Sequence, residues 1–368
     1  MKTKAAVLWG LHQKWEVEEV DLEGPRQNEV LVKVAAAGLC HSDDHLITGD
    51  MPMQLPVVGG HEGAGVVVDV GPGVTEVAEG DSVALSFIPA CGRCEPCSRG
   101  MSNLCVLGAA IIAGPQLDGT FRFRAKGQAL GQMCVLGTFS EYTVVPLASV
   151  IKVDPSTALD TAALVGCGVT TGYGSMVRTG EARDGDAVVV MGVGGIGVNA
   201  VQGARIAGAR VIVALDPVEY KRTRALEFGA THTAATVGEA QALITDLTRG
   251  QLADVCVVST DSAEGSYVAQ ALSLVGKRGR VVMTAIPHPT DTRVDMSLFD
   301  LTLYEKQVRG SLFGSSNPRH DIPRMLDLYR AGRLKLDELV TREYTLEEIN
   351  TGYADLHAGV NLRGLIRF

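Results

Sequence analysis

Along the first 160 or so positions apolar residues alternate or run in short blocks. Glu29-Val-Leu-Val-Lys-Val-Ala35 and Gly65-Val-Val-Val-Asp-Val70 are two such blocks, broken by turns such as Gly71-Pro72-Gly73. A period of two punctuated by Gly and Pro predicts an antiparallel, barrel-like region with long loops, opened by a strand over Ala5–Leu11. After Asp160 the pattern changes. Strand-like runs at Ala187–Met191, Arg210–Leu215, Asp254–Ser259 and Arg280–Ala285 are separated by stretches of helix length, which predicts a parallel, doubly wound α/β sheet. Near Gly310 the alternation stops. A helical run over Ile322–Ala331, a capping-like Thr345-Leu-Glu-Glu348 and a final strand over Leu365–Phe368 are expected to return to the first region.

The 368 residues suit two domains rather than one core, and 46% hydrophobic residues provide ample material for both. A net charge of -9, without any block of Lys or Arg, argues against a nucleic-acid or anionic-membrane surface. The 43 glycines fall singly or in short motifs, as expected of a protein with many close backbone approaches. Lys2 and Lys4 before a short apolar run faintly resemble a leader, but the run is short and passes directly into Trp15-Glu-Val-Glu-Glu19. No stretch approaches the roughly 20 apolar residues of a membrane span. The expectation is a cytoplasmic chain, whose eight cysteines are ligands or buried thiols rather than disulfides.

Four of those cysteines sit close together. Cys91, Cys94, Cys97 and Cys105 form C-x2-C-x2-C-x7-C, and Gly92, Pro96 and Gly100 supply the reversals that can aim four sulfurs at one centre. Four thiolates close a tetrahedral zinc site and leave no position for water, so this metal is expected to be structural. Two rival readings remain: an iron–sulfur cluster, whose fourth spacing differs from this one, and four buried reduced thiols.

A second motif follows the run Ala187–Met191. Gly192-Val-Gly194-Gly195-Ile196-Gly197 lies between a strand and a helix-compatible stretch, and Asp216 ends the next strand 19 residues after Gly197. In this context the glycines allow a tight turn, a close pyrophosphate and close helix–strand packing, while the helix N-terminus faces the phosphates. Asp216 would accept from the ribose hydroxyls and repel a 2′-phosphate, so NAD is favoured over NADP. A ligand-free glycine turn, with Asp216 at a solvated strand end, is the alternative.

Three further metal-ligand types stand apart: Cys40 in Gly38-Leu-Cys-His-Ser-Asp-Asp-His45, His61 in Gly59-Gly-His-Glu-Gly-Ala-Gly65, and Cys167 in Gly166-Cys-Gly-Val-Thr-Thr-Gly172. Two thiolates and an imidazole leave a fourth zinc position open, as catalytic zinc requires. Each alone reads equally as a buried thiol or a core histidine.

Together with Leu136-Gly-Thr-Phe-Ser-Glu-Tyr142, these segments resemble the zinc-dependent medium-chain alcohol dehydrogenases over essentially the whole chain. Within that family they are most similar to the NDMA-dependent (nicotinoprotein-type) actinobacterial enzymes and to the liver-type enzymes. The resemblance implies a β-rich GroES-like catalytic domain at 1–168 and 312–368, with a zinc lobe at 91–105, and a Rossmann NAD-binding domain at 169–311. It implies one catalytic zinc on Cys40, His61 and Cys167, with Glu62 behind the metal, and one structural zinc in the lobe. Asp43 matches the carboxylate behind the ligand histidine, and Ser42 and His45 match the proton relay. Thr171, Lys221 and Arg363 match cofactor contacts at the nicotinamide end, the adenosine ribose and the pyrophosphate. His41 replaces an arginine often found on the pyrophosphate.

Phe87, Ile88 and Pro89 match the substrate wall, with Ile112 nearby, and an apolar wall favours alkyl or aryl alcohols. The implied reaction is reversible hydride transfer between a primary alcohol/aldehyde pair and NAD, with the nicotinamide retained between turnovers in the NDMA-dependent group. Glutathione-dependent formaldehyde oxidation is an alternative, but its enzymes carry an arginine where this chain has Ala109. A non-catalytic zinc- and NAD-binding protein is a third reading. The segment from Gly108 to Gln132, shorter in many tetrameric members, favours a homodimer over a tetramer.

Overall fold

The structure, a computed structural model, describes residues 1–288 and 290–368. It divides into two compact units: Met1–Cys167 with Asn317–Gly332 and Leu336–Phe368, and Gly168–Ser316 with Arg333–Lys335.

In the first unit, strand Glu29–Gly38 is the organising element. Nearly all of it is buried, which suits its run of apolar residues. One edge pairs antiparallel with Gly63–Val70. The other pairs with Tyr142–Pro146 along Glu29–Lys33 and with Arg363–Arg367 along Ala36–Gly38. Lys2–Leu8, Glu16–Leu22, Phe123–Ala125, Gln128–Gln132 and Val57–Val58 close into a small barrel. The first strand begins and ends three residues earlier than the apolar run suggests, because Lys2 and Lys4 point outward opposite Asp21 and Glu19 while Ala5 to Leu8 fill the interior.

The returning tail is formed by helix Pro318–Arg330, helix Ile349–His357 and strand Arg363–Arg367. The first of these starts four residues before the apolar run at Ile322. Pro318 occupies the first helical turn, and the Asn317 N–H donates to Asp321 Oδ2 at 2.7 Å. Thr345 and Glu348 form the reciprocal cap that their spacing suggests.

A buried ion cluster ties this unit's loops to its central strand. Arg122, fully buried, donates from Nε and Nη2 to the two oxygens of Glu29 at 2.8 and 2.6 Å, and from Nη2 to Asp118 at 2.7 Å. Its Nη1 donates to Thr120 Oγ1 at 2.6 Å.

The second unit is a six-stranded parallel sheet. Its spatial order is His232–Ala234, Val211–Leu215, Ala187–Met191, Ala253–Val258, Val275–Met283, Gln307–Gly310. Counted along the chain this is 3-2-1-4-5-6, the Rossmann order, in which ligands bind beyond the carboxyl ends where the order reverses. Ala187–Met191 lies beside that reversal and is buried throughout.

The segment Leu312–Ser316, expected in the first domain, belongs with Ser311 to this unit. Hydroxyls hold it there: Ser175 Oγ is 3.0 Å from Ser311 Oγ, and Thr179 Oγ1 is 2.8 Å from both Ser311 Oγ and Ser315 Oγ. Gly168 also falls on this side, at the start of helix Gly168–Gly174.

Candidate active site

The loop Cys91–Cys105 folds around its own sulfurs. The Cys91 N–H points to Cys105 Sγ at 3.4 Å and the Cys94 N–H to Cys91 Sγ at 3.3 Å. Such N–H donors favour thiolate over thiol, and those from Val106 and Cys97 lower the Cys94 thiol to about 6. Burial pushes Cys105 up to about 12, so the four sulfurs do not all ionise without a cation among them. Cys94 Sγ and Cys105 Sγ lie 3.8 Å apart, and all four sulfurs lie within 4.8 Å of one another. A tetrahedron with Zn–S of about 2.3 Å has S···S edges of about 3.8 Å, so the loop fits zinc.

The second donor set draws on three separate segments. Cys40 immediately precedes helix His41–Thr48, His61 and Glu62 precede strand Gly63–Val70, and Cys167 follows helix Leu159–Val165. Their ligand atoms also lie within 4.8 Å of one another, and all four residues are buried. His61 Nε2 is 3.4 Å from Cys167 Sγ, against an N···S edge of about 3.6 Å around tetrahedral zinc.

On the other side of the ring, His61 Nδ1 is 3.0 Å from Asp43 Oδ2, while Asp43 Oδ1 accepts the Gly60 N–H at 2.8 Å. Asp43 thereby fixes the tautomer that offers Nε2 to a metal. Gly60 has a φ of 89°, and a Cβ there would lie 2.5 Å from the Phe139 nitrogen. Its N–H reaches Asp43 only because the chain turns where a side chain cannot.

The donors of this set share protons among themselves. The hydrogen bond from Cys167 holds the Cys40 thiol well below its ordinary value, against burial and with help from His61 and Arg363. Donating that bond, together with burial, holds the Cys167 thiol well above its own. Burial lowers the affinity of His61 for a proton, but Asp43 and the Cys40 thiolate outweigh it and raise the ring well above the usual histidine range. Protons therefore remain on groups that a dication would deprotonate. Glu62 pairs with the buried Arg363 through one carboxylate oxygen, and its other, Oε1, has no hydrogen-bond partner. Burial, only partly offset by Arg363, pushes the Glu62 carboxyl up.

Around the donors, Cys40 Sγ lies 3.6 Å from Ser42 Oγ. His45 is buried, with Nδ1 3.2 Å from Asp50 Oδ2. Phe87 stands edge-on to His61 with ring centres 5.9 Å apart, and Ile88 is fully buried. Ile112, expected to contribute to the wall, is 44% exposed. His41 occupies the first turn of helix His41–Thr48 and is half-buried. Asp50 and the Tyr353 hydroxyl, which donates to the Cys40 carbonyl at 3.4 Å, carry no signal in the sequence that would have marked them.

In the second unit the glycine loop has the expected shape. Gly192 has a φ of 85°, and a Cβ on Gly197 would lie 1.9 Å from the Gly192 carbonyl oxygen, which explains two of the glycines. Gly194 faces open space. Gly195 and Ile196 lead into helix Gly197–Ala207, whose N-terminal N–H groups suit a phosphate. Asp216, buried, accepts from the N–H groups of Val193 and Val218 at 3.0 and 2.9 Å, which fixes its carboxylate beside the loop. Thr171 lies buried in helix Gly168–Gly174, and Lys221 on helix Glu219–Phe228 is half-buried.

Residues 26–155 match the family model for the alcohol dehydrogenase GroES-like domain, and residues 195–331 match that for zinc-binding dehydrogenases. The chain is 54% identical over 366 residues to the NDMA-dependent alcohol dehydrogenase of Amycolatopsis methanolica, covering 100% of this chain and 99% of that one. It is 50% identical over 370 residues to alcohol dehydrogenase B of Mycobacterium tuberculosis H37Rv, with coverage of 100% and 99%. Among solved structures, benzyl alcohol dehydrogenase from Acinetobacter calcoaceticus superposes with a TM-score of 0.93 at 28% identity, covering 100% of this chain and 99% of that one. The gathered donor sets, the Rossmann order and full-length likeness agree: the chain belongs to the zinc-dependent medium-chain alcohol dehydrogenases.

Proposed function

We propose that this alcohol dehydrogenase oxidises primary alcohols to aldehydes reversibly, with NAD as hydride acceptor and two zinc ions per chain. The observation that carries the proposal is the buried set Cys40, His61 and Cys167, with His61 oriented by Asp43. When bound there, zinc supplies a Lewis acid that lowers the pKa of the substrate hydroxyl, and NAD accepts the hydride. The zinc held by Cys91, Cys94, Cys97 and Cys105 would keep the lobe in shape and take no part in the reaction.

The chain's own residues do the rest. Ser42 Oγ takes the hydroxyl proton, and His45 passes it outward. Phe87, against His61, gives the substrate carbon an apolar neighbour. The Gly192–Gly197 turn and the following helix hold the pyrophosphate, Asp216 and Lys221 the adenosine ribose, and Thr171 the nicotinamide end. His41 and Arg363 complete the phosphate contacts. The guanidinium of Arg363 already engages Glu62, so it would serve both groups. One alcohol yields one aldehyde, one NADH and one proton.

The name of the Amycolatopsis relative adds a further element, a nitrosoaniline as acceptor. If this chain likewise keeps its nicotinamide, the purified protein should turn over alcohol with N,N-dimethyl-4-nitrosoaniline and no added NAD. Native mass spectrometry should then find one nicotinamide nucleotide per chain. Turnover that depends strictly on added NAD would show instead a free co-substrate. Activity that appears only with glutathione would favour formaldehyde oxidation, which Ala109 disfavours.

Asp216→Ala should relax the preference against NADP, by removing the charge that repels the 2′-phosphate. Dissociation constants for NADH and NADPH would measure it, and an unchanged ratio would mean that another residue selects the cofactor.

No helix among the described residues is long and apolar enough to cross a membrane. Six of the eight cysteines lie in the two donor sets, a use of thiols that suits a reducing cytoplasmic setting. A homo-oligomer, with a dimer favoured, is part of the proposal: helix Leu298–Leu303 buries none of its residues, and the exposure of Leu298, Phe299 and Leu303, each more than 60%, supports an interface there. Sedimentation of the purified chain tests this.

A further inference from the structure

We infer that Asp50 is a positioning residue for the proton relay, setting the tautomer of His45. The inference rests on the reading of His45 as the outer relay member.

Helix His41–Thr48 ends at Gly49, which has a φ of 85° and donates its N–H to the His45 carbonyl at 3.1 Å. The Met51 N–H reaches the same carbonyl at 3.0 Å. This left-handed ending folds the chain back over the last turn. Asp50 then lies against the ring it has just passed, with Oδ2 3.2 Å from His45 Nδ1. Thr48 Oγ1 donates to that same oxygen at 2.6 Å and holds the carboxylate in place. The His45 side chain is 10% exposed and that of Asp50 is 37% exposed, so the pair runs from the interior to water.

A carboxylate can only accept, so Nδ1 must carry a proton. Neutral His45 therefore keeps its lone pair on Nε2, the atom left to receive the proton that Ser42 releases. Without Asp50, an imidazole in water prefers the opposite tautomer, with Nε2 already protonated and unable to accept. When Nε2 takes a proton, the imidazolium formed sits against a carboxylate anchored by Thr48. The imidazolium then releases one proton to solvent, and Asp50 again favours the neutral form that carries its proton on Nδ1, which frees Nε2 for the next turnover. This is the arrangement that Asp43 imposes on His61, repeated just beyond the end of the same helix for a ring that moves a proton.

Nitrogen-15 NMR of the histidine-labelled enzyme tests it, with His45 assigned by comparison with His45→Gln. In the wild type, Nδ1 should show the shift of a protonated nitrogen and Nε2 that of a lone-pair nitrogen. Asp50→Ala should move the ring toward the opposite tautomer and lower kcat/KM on the order of tenfold, leaving the affinity for NADH unchanged. Asp50→Asn, which can still accept from Nδ1, should retain the tautomer, and Asp50→Glu should recover most of the rate. If Asp50→Ala leaves the nitrogen shifts unchanged, or leaves kcat/KM unchanged while His45→Gln slows the enzyme, the proposal is overturned. If His45→Gln itself has no effect, the relay reading fails first.

Discussion

Cys167→Ser is expected to leave the fold intact, remove one of two zinc ions and cut turnover by at least about a thousandfold. A Lewis acid on the substrate oxygen contributes several kcal/mol, and each 1.4 kcal/mol or so is tenfold in rate. Serine at this position keeps the volume but not the thiolate, so Cys40 and His61 would retain only two strong donors. The lobe lies on separate residues and keeps its metal. Zinc analysis falling from about two to about one per chain, with an unchanged circular dichroism spectrum, would agree. A Cys167→Ser enzyme with wild-type kcat/KM would sink the assignment of the catalytic metal.

Arg122→Met is the second large effect expected, on stability rather than rate. It removes the guanidinium from between Glu29 and Asp118 and leaves the Glu29 carboxylate, 6% exposed, without its bidentate partner. Breaking one side of a buried pair costs about 3–5 kcal/mol, whereas replacing both partners by apolar groups can be close to neutral. Arg122→Met should therefore lower the urea midpoint sharply, and adding Glu29→Leu should restore much of it. The Arg26 N–H, which also donates to Glu29 at 2.8 Å, would lose its acceptor in the double variant, so recovery should be incomplete. A single variant within 1 kcal/mol of wild type would contradict this account.

The contrast between these two sites shows what a sequence carries openly. Cys91–Cys105 and Gly192–Gly197 are legible because the residues that meet in space also lie within one turn or loop. Cys40, His61 and Cys167 are spread over more than a hundred positions, and each alone has an ordinary structural reading. They became a set through the company of the other motifs. Arg122 was not legible at all. It stands in Phe121-Arg-Phe-Arg124, where alternation would send both arginines to water. Arg124 does remain exposed, but Arg122 is drawn inward by Glu29, 93 positions earlier in the chain. Asp50 was missed for a different reason. Its meaning depends on the left-handed turn at Gly49, and Gly-Asp after a helix is an ordinary ending. The domain boundary near Gly310 was misplaced by a few residues because serine and threonine contacts leave no hydrophobic period to read.

The strand Arg363–Arg367 has a consequence for the order in which the enzyme can be made. It completes the sheet beside Glu29–Gly38 and brings Arg363 to Glu62, 301 positions earlier. The whole nucleotide-binding unit is translated between them. Until the last strand leaves the ribosome, a carboxylate destined for full burial has no countercharge, and the pocket for the metal lacks one wall. The nascent chain can finish its Rossmann sheet while its catalytic half is still open. Zinc is therefore best retained once the strand Arg363–Arg367 has emerged, and a ribosome stalled before residue 363 should hold a lobe that binds metal and a catalytic site that does not keep it.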